Sequence, residues 1–207
     1  MIHNIIFDIG QVLAKFRWQE YIAEFGFDSN LNERIAKATV LSPYWNEVDK
    51  GILTKEEIIE RCISLDPDIE EQIRLFYADT SNMVVEFDYS KDWICELKEQ
   101  GYHIYILSNY GEDNFAHVKE KFQFLKYVDG AVISYQEKCI KPDPRIYQIL
   151  LDRYQLIPEE CVFLDDLLDN IKGAREFGIH TIHFNNQAQA KEELRKLGVK
   201  DRRDTSN

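Results

Sequence analysis

The sequence predicts an α/β fold, a doubly wound parallel sheet with an inserted all-helical domain. Two observations predict the sheet. Residues 2–7 form an apolar run, and over residues 87–207 short apolar runs alternate with helix-like segments. Such alternation is typical of a parallel sheet covered by helices on both faces. Residues 16–86 instead show helical spacing of their apolar side chains. We therefore assign residues 1–15 and 87–207 to the sheet-containing core and residues 16–86 to the inserted domain.

Local patterns support each element of the first half of the chain. The run at residues 2–7 is rich in Ile and Phe and stops at Asp8, which is followed by Ile9 and Gly10, and this pattern predicts a buried strand. In the inserted domain, Thr54 followed by Lys-Glu-Glu has the form of a helix start. The apolar residues that follow have the spacing of one helix face: Ile58, Ile59, Cys62 and Ile63.

The second half of the chain supplies the remaining strands and helices. Strands are predicted over residues 103–107, 127–133, 161–164 and 181–184. Helices are predicted over residues 90–100, 114–122, 143–154, 169–177 and 187–197. The polar tail beyond Gly198 is expected to fray, as chain ends without apolar anchors do.

Composition restricts the classes of partner. The net charge of −12 and the pI of about 4.9 argue against nucleic acid and anionic membranes, which both require basic patches. The four cysteines form no C-x-x-C pair and predict structural thiols in a reducing compartment. The start of the chain lacks a signal-peptide pattern, and no apolar stretch reaches the length of a membrane span, so the cytoplasm is the expected location. We expect a monomer or a weak homodimer.

Polar residues collect where the predicted strands end. Ligands of parallel sheets bind beyond the carboxyl ends of the strands, and the residues there include Asp8, Gly10, Ser108, Asn109, Asp165 and Asp166. Taken singly, these residues are also typical of helix caps and turns, and Lys141 is also typical of a solvated loop lysine. Taken together, they predict a phosphate site that contains a cation.

Each residue type in this set has a chemical use. Several carboxylates that meet at one point suit a hard ion such as Mg²⁺, which bridges to phosphate oxygens. A carboxylate is also a nucleophile that can form an aspartyl-phosphate. A hydroxyl, an amide and a lysine can hold the other phosphoryl oxygens while charge redistributes.

Four segments, in this order, resemble the motifs of the haloacid dehalogenase (HAD) superfamily: "FDIGQVL", "LSN", "KPDPRIYQILL" and "FLDDLLDNI". The resemblance covers about residues 2–184, and its most specific part is the Lys-Pro-Asp-Pro sequence followed by Phe-Leu-Asp-Asp. It implies a Rossmann-like core, with the inserted domain in the position of that family's helical cap. The first segment, with its glycine, is most similar to a branch of small bacterial sugar-phosphate phosphatases.

The resemblance implies a role for each matching residue. Asp8 would be the nucleophile and a metal ligand, and Lys141 would neutralise both Asp8 and the phosphate. Ser108 and the backbone of Asn109 would hold the transferring phosphoryl group. The remaining metal contacts would come from the backbone carbonyl of Gly10, from Asp166 as the principal acidic ligand, from Asp165 directly or through water, and from Asn170 through an oriented water.

One position departs from the family pattern. Most phosphatases of this family carry a second aspartate two residues after the nucleophile, and Gly10 stands there in this chain. General acid–base help of the kind that this aspartate gives contributes about 10²–10⁴-fold in rate. Three explanations stay open: another group or water supplies the proton, the leaving group needs little protonation, or the activity is weak or lost. The second explanation predicts a preference for a sugar 1-phosphate over the matching 6-phosphate.

The segment "YWNEVDKGILTKEEI" offers candidate substrate contacts in the inserted domain. Trp45, Glu47 and Asp49 are suited to binding a sugar, with Trp45 stacking on the ring; alternatively, Trp45 packs the domain and the two acids are solvated. The function expected from the sequence is a Mg²⁺-dependent phosphatase acting on a small phosphorylated metabolite. The alternatives are a 2-haloacid dehalogenase-like hydrolase, which the acid cluster disfavours, and a catalytically weak phosphate-binding or regulatory module.

Overall fold

A five-stranded parallel sheet forms the centre of the computed structural model, which describes residues 1–200. In chain order, the strands of the described region are β1 (Asn4–Phe7), β2 (Ala14–Phe16), β3 (Val84–Glu86), β4 (His103–Ser108), β5 (Gly130–Ile133), β6 (Cys161–Asp165) and β7 (His180–His183). The central sheet has the order β5-β4-β1-β6-β7, while β2 and β3 form a separate antiparallel ribbon.

Helices occupy most of the remaining chain. In order, they are α1 (Trp18–Ala23), α2 (Ser29–Ala38), α3 (Trp45–Lys50), α4 (Lys55–Leu65), α5 (Glu70–Ala78), α6 (Ser90–Glu99), α7 (Glu112–Lys119), α8 (Ser134–Glu137), α9 (Pro144–Tyr154), α10 (Leu168–Arg175) and α11 (Gln187–Lys196). Short 3₁₀ turns lie at Pro67–Ile69, Gln123–Lys126 and Pro158–Glu160.

Helices cover both faces of the sheet, so the doubly wound prediction is confirmed. Side chains of a strand alternate between faces, and in β1 Ile5 and Phe7 point into one core while Ile6 points into the other. The first core includes side chains from α6, α7 and α11. The second core includes side chains from α9 and α10.

The register of the three middle strands brings their carboxyl ends to the same edge. In β1, Phe7 pairs with Ile106 of β4 on one side and with Leu164 of β6 on the other. Asp8 follows β1 directly, and β4 and β6 end at Ser108 and Asp165. Residues that are far apart in the sequence are therefore forced into proximity.

Helices α1–α5 pack around a third apolar core of their own, which contains Ile22, Ile35, Ile73 and Phe76 among its buried side chains. The helix start predicted at Thr54 is confirmed, and it is a capping box, because Thr54 and Glu57 exchange hydrogen bonds between side chain and backbone. We call residues 16–86 the helical block. It is connected to the sheet through the β2–β3 ribbon, in which Phe16 pairs with Val84.

Some elements differ from the sequence-based expectation. The ribbon was not expected, because strands of three residues are too short to show a period-two pattern. Helix α8 was also not expected, and α7 begins two residues earlier than predicted. Of the tail, Val199 is buried and the amide of Lys200 donates to the Tyr102 hydroxyl, while residues 201–207 lie outside the described residues.

The four cysteines are free thiols, and three of them are buried: Cys62, Cys139 and Cys161. Over the 200 described residues, none of the helices is both long and apolar enough to cross a membrane.

Candidate active site

Lys141 connects the ends of two strands. It lies in the loop before α9, and its side chain is almost completely buried. The ammonium Nζ lies 3.0 Å from Oδ1 of Asp8 and 2.7 Å from Oδ2 of Asp165. A lysine buried to this extent requires anionic partners, and here it has two. Burial alone would lower the pKa of Lys141, but Asp165 and Asp8 together raise it above the ordinary value, so the ammonium stays charged.

Asp8 is held by three donors on a single oxygen. Its Oδ1 accepts hydrogen bonds from the Ser108 hydroxyl at 2.7 Å and from the Ile9 amide at 2.7 Å, in addition to the contact with Lys141. Burial raises the pKa of Asp8 to about 7, because Lys141 offsets only part of the desolvation and Asp165 adds to it. The carboxylate is thus fixed in orientation, and its charge depends on nearby cations.

Asn109 positions the backbone of Lys141. The Asn109 side-chain amide donates to the Lys141 carbonyl at 3.1 Å, and the Lys141 amide donates back to Asn109 Oδ1 at 2.8 Å. This reciprocal pair ties the lysine loop to the end of β4. Sequence reasoning expected a role only for the Asn109 backbone, so the positioning role of its side chain was missed.

Asp165 is fully buried and uses both carboxylate oxygens in hydrogen bonds within the protein. Oδ1 accepts from the Leu167 amide at 2.8 Å, Oδ2 accepts from Lys141, and the Asn170 side-chain amide lies 3.0 Å from each oxygen. Through these contacts Asp165 helps to hold Lys141 in place. Asn170 was expected to orient a metal-bound water, whereas its side-chain nitrogen is committed to Asp165.

Three carboxylates converge closely enough to share one cation. Asp8, Asp165 and Asp166 each offer an oxygen, and these oxygens lie within 4.8 Å of one another. Burial raises the pKa of Asp166 and the Asp165 charge adds to this, as expected for carboxyl groups that repel each other. A set of donors made only of oxygens suits a hard divalent ion such as Mg²⁺, so the residues present fit the cation predicted from the sequence.

A cavity of about 350 Å³ opens above this cluster. The sheet edge and the loops after it contribute Asp8, Gly10, Gln11, Asn109, Tyr110, Asn114, Lys141, Asp166, Leu167 and Asn170. The helical block contributes Phe16, Trp45, Asn46, Asp49, Met83 and Val84. The volume lies in the range of small-molecule sites.

The candidate substrate residues of α3 fall on different faces of that helix. Trp45 and Asp49 line the cavity, and the Trp45 ring is stacked on Phe16 with 5.8 Å between the ring centroids. Glu47 does not line it, and its carboxylate instead accepts a hydrogen bond from Lys50 at 2.8 Å. Residues four apart share a helix face whereas residues two apart do not. Glu47 therefore does not face the cavity.

Two residues near the cavity were missed from the sequence. Ser134 is fully buried at the start of α8, where its hydroxyl oxygen accepts from the Tyr110 amide at 2.8 Å and donates to the Asp49 carbonyl at 2.6 Å. The Tyr110 hydroxyl is buried and has no hydrogen-bond partner within residues 1–200. No sequence pattern marks either residue, because both roles depend on how the helical block docks on the core.

Comparison with known proteins identifies the family of this chain. Residues 2–178 match the haloacid dehalogenase-like hydrolase family. The chain belongs to that family. The family expected from the four motifs is therefore confirmed, and this HAD-like hydrolase carries the motif residues at the sheet edge described above.

Relatives of this HAD-like hydrolase include whole enzymes and parts of longer ones. It is 28% identical to D-ribitol-5-phosphate phosphatase of Bacteroides thetaiotaomicron, over 94% of this chain and 97% of that protein. It is 35% identical to acyl-CoA dehydrogenase family member 10 of Mus musculus over 74% of this chain, but the chain spans only 15% of that longer protein.

A solved structure of similar fold is that of HAD family enzyme bt-2542 from Bacteroides thetaiotaomicron, in complex with magnesium and inorganic phosphate. Its TM-score to this hydrolase is 0.69, with 25% sequence identity over 89% of this chain and 95% of that one.

Proposed function

We propose that this HAD-like hydrolase is a Mg²⁺-dependent phosphatase that cleaves a small phosphorylated metabolite through an aspartyl-phosphate on Asp8. The observation that carries this proposal is the position of Lys141, whose Nζ lies 3.0 Å from Asp8 beside a cluster of three carboxylates, two of which, Asp8 and Asp166, line the cavity. The named activity of the ribitol-phosphate phosphatase and the magnesium and phosphate bound in the bt-2542 structure support it.

In the proposed reaction, an oxygen of Asp8 attacks phosphorus, and the ester oxygen of the substrate leaves with the electron pair of the broken P–O bond. Water then attacks phosphorus and releases phosphate, which restores the Asp8 carboxylate. Lys141 balances the negative charge of Asp8 and of the phosphoryl oxygens, and Ser108 and the Asn109 backbone hold that group.

The proposed metal ligands are Asp8, the Gly10 carbonyl, Asp166, and Asp165 directly or through water. Bound there, Mg²⁺ would supply positive charge to the phosphoryl oxygens. The protein groups that share this task are Lys141 and the hydroxyl of Ser108.

The helical block, residues 16–86, is proposed to act as the cap of the enzyme. It has its own apolar core, it is joined to the sheet by the β2–β3 ribbon, and it contributes one part of the cavity lining. A cap in this position would exclude water and contact the non-phosphate part of the substrate, with Trp45 as a surface for a sugar ring. Cytoplasmic location and a monomeric or weakly dimeric state stay predictions from the sequence.

Removal of divalent metal is the first test. We expect the protein to release p-nitrophenolate from p-nitrophenyl phosphate in Mg²⁺, and chelation by EDTA to lower the rate by about 10²-fold or more, since a metal provides several kcal/mol of charge stabilisation. Excess Mg²⁺ should restore the rate. Turnover that is unaffected by chelation would contradict the metal assignment.

The second test concerns substrate preference. Gly10 offers no acid beside the nucleophile, so a proton for the leaving group must come from elsewhere in the cavity or from water. A sugar 1-phosphate, whose anomeric leaving group departs more easily and depends less on that proton, is the proposed preferred substrate. We expect kcat/KM for glucose 1-phosphate to exceed that for glucose 6-phosphate by about tenfold, a modest part of the usual acid–base contribution. Equal values for the two isomers would remove this preference.

Two competing functions are also compatible with glycine at position 10. A 2-haloacid dehalogenase does not need the second acid, and a regulatory module needs no turnover at all. Chloride release from 2-chloropropionate without metal would favour the dehalogenase. A rate of p-nitrophenolate release no higher than that of the Asp8→Asn variant would favour the module. The convergence of three carboxylates argues for the metal-dependent phosphatase over both.

A further inference from the structure

We propose that Asp49 of α3 is the general acid that protonates the leaving oxygen and the base that then activates water, in place of the side chain absent at Gly10. This inference rests on the phosphatase function proposed above. The sequence suggested only that Asp49 contacts sugar hydroxyls, so the role is new.

The cavity lining singles out Asp49. Among the described residues, the carboxyl groups that line the cavity are those of Asp8, Asp49 and Asp166. Asp8 and Asp166 belong to the proposed metal cluster. In-line transfer places the leaving oxygen on the far side of phosphorus from the attacking Asp8 oxygen. Asp8 attacks from the near side and Asp166 is committed to the proposed metal, so the lining carboxyl left to protonate that oxygen is Asp49, which reaches the same cavity from the helical block.

Several contacts hold the end of α3 on the core. The Ser134 hydroxyl donates to the Asp49 carbonyl at 2.6 Å, and Lys138 Nζ donates to the Gly51 carbonyl at 2.5 Å. Gly51 ends the helix with a φ of +60°, and a Cβ there would lie 2.9 Å from the Tyr135 Cβ. Glycine thus permits a close approach that any larger residue would prevent. This docking fixes the Asp49 backbone relative to the sheet edge.

The local electrostatics suit a proton carrier. Burial raises the pKa of Asp49 to about 7 and the Asp8 charge adds to this, while Lys141 and the Gly111 amide lower it. A carboxyl group with a pKa near the working pH is present in both protonation states, which is the condition for acting first as an acid and then as a base.

The proton balance closes over the two steps. When the Asp8–phosphorus bond forms and the ester P–O bond breaks, the Asp49 carboxylic acid gives its proton to the leaving oxygen and the alcohol departs. When water attacks the aspartyl-phosphate, the Asp49 carboxylate takes a proton from that water and the Asp8–phosphorus bond breaks. Asp49 ends protonated, as it began.

The decisive experiment compares leaving groups in Asp49→Asn. p-Nitrophenolate departs without a proton, whereas the alkoxide of glucose 6-phosphate does not. We therefore expect kcat/KM to fall about 10²-fold for glucose 6-phosphate and less than about threefold for p-nitrophenyl phosphate. On p-nitrophenyl phosphate, kcat should also fall about 10²-fold and follow a burst of one equivalent of p-nitrophenolate, because hydrolysis of the intermediate loses its base.

Restoration of the missing acid supplies an independent variant. A Cβ at Gly10 would meet no atom within 4 Å, so an aspartate has space there. The double variant Gly10→Asp, Asp49→Asn should recover at least about tenfold of the lost kcat/KM on glucose 6-phosphate. Asp113→Asn is the matched control, since that carboxylate is 57% exposed and lies 3.6 Å from Lys55. Its kcat/KM for glucose 6-phosphate and for p-nitrophenyl phosphate should equal the wild-type values.

A loss of kcat/KM in Asp49→Asn that is equal for both substrates would overturn the role of Asp49 while leaving the phosphatase intact. The role of Asp49 would also be overturned if Tyr110→Phe, and not Asp49→Asn, produced the leaving-group dependence, because the unpartnered Tyr110 hydroxyl would then be the donor. A wild-type protein that hydrolyses neither substrate would instead overturn the phosphatase proposal, and this inference with it.

Discussion

Asp8→Asn is expected to abolish hydrolysis of every phosphate ester, with the rate falling by about 10⁴-fold or more. Loss of a catalytic nucleophile costs up to about 10⁶-fold, and the neutral amide is a far weaker nucleophile than the carboxylate. Asp8 is also one of the three carboxylates that converge on the proposed metal position. Single-turnover assays with p-nitrophenyl phosphate at saturating Mg²⁺ measure the loss directly.

The same substitution should leave the fold intact. Asparagine matches aspartate in size, and Lys141 keeps its 2.7 Å contact with Asp165. Circular dichroism and thermal unfolding that match the wild type would show that the loss is chemical. A folded Asp8→Asn protein that retains a hundredth or more of the wild-type rate would contradict the assignment of the nucleophile, because a loss of about 10²-fold or less is no larger than a typical acid–base contribution.

Lys141→Met is expected to damage both stability and activity. It would leave Asp8 and Asp165 buried without their shared cation, and breaking a buried pair in this way costs about 3–5 kcal/mol in the free energy of unfolding. Loss of the positive charge beside the phosphoryl group should lower kcat by about 10²–10³-fold, as removal of one transition-state donor does. Urea unfolding and steady-state rates measure the two effects.

Lys172→Met is the control for that experiment. The Lys172 side chain is 61% exposed and pairs with an exposed aspartate, Asp169. Surface pairs of this kind contribute about 0–1 kcal/mol, so stability and rate should stay close to the wild-type values. If Lys141→Met proved as stable as this control, the buried ion pair would not contribute to the stability of the fold.

The motif residues were predictable because chain order constrains a parallel sheet strongly. A buried apolar run followed by an acid marks a strand end, and parallel strands bring their carboxyl ends to one edge. Asp8, Ser108 and Asp165 could therefore be grouped from their positions in the sequence. The helices of residues 16–86 were equally predictable, because α4 and α5 have clear apolar faces.

The contacts between the helical block and the core were not predictable. The Ser134 hydroxyl bond to the Asp49 carbonyl and the approach of Gly51 to Tyr135 depend on three-dimensional docking, for which a single sequence has no periodic signal. Glu47 shows the same limit on a smaller scale. A carboxylate is a suitable ligand for sugar hydroxyls, but Glu47 lies on a different face of the helix from Trp45 and Asp49, and it contacts Lys50 instead.

The most direct test of the central claim is to locate the phosphoryl group during turnover. Wild-type protein mixed with substrate and Mg²⁺, quenched in acid within milliseconds and digested, should yield one phosphorylated peptide, and fragmentation should place the group on Asp8. EDTA before mixing should remove the signal. Turnover with the phosphoryl group on another residue, or with no phosphorylated enzyme at any time point, would contradict the account.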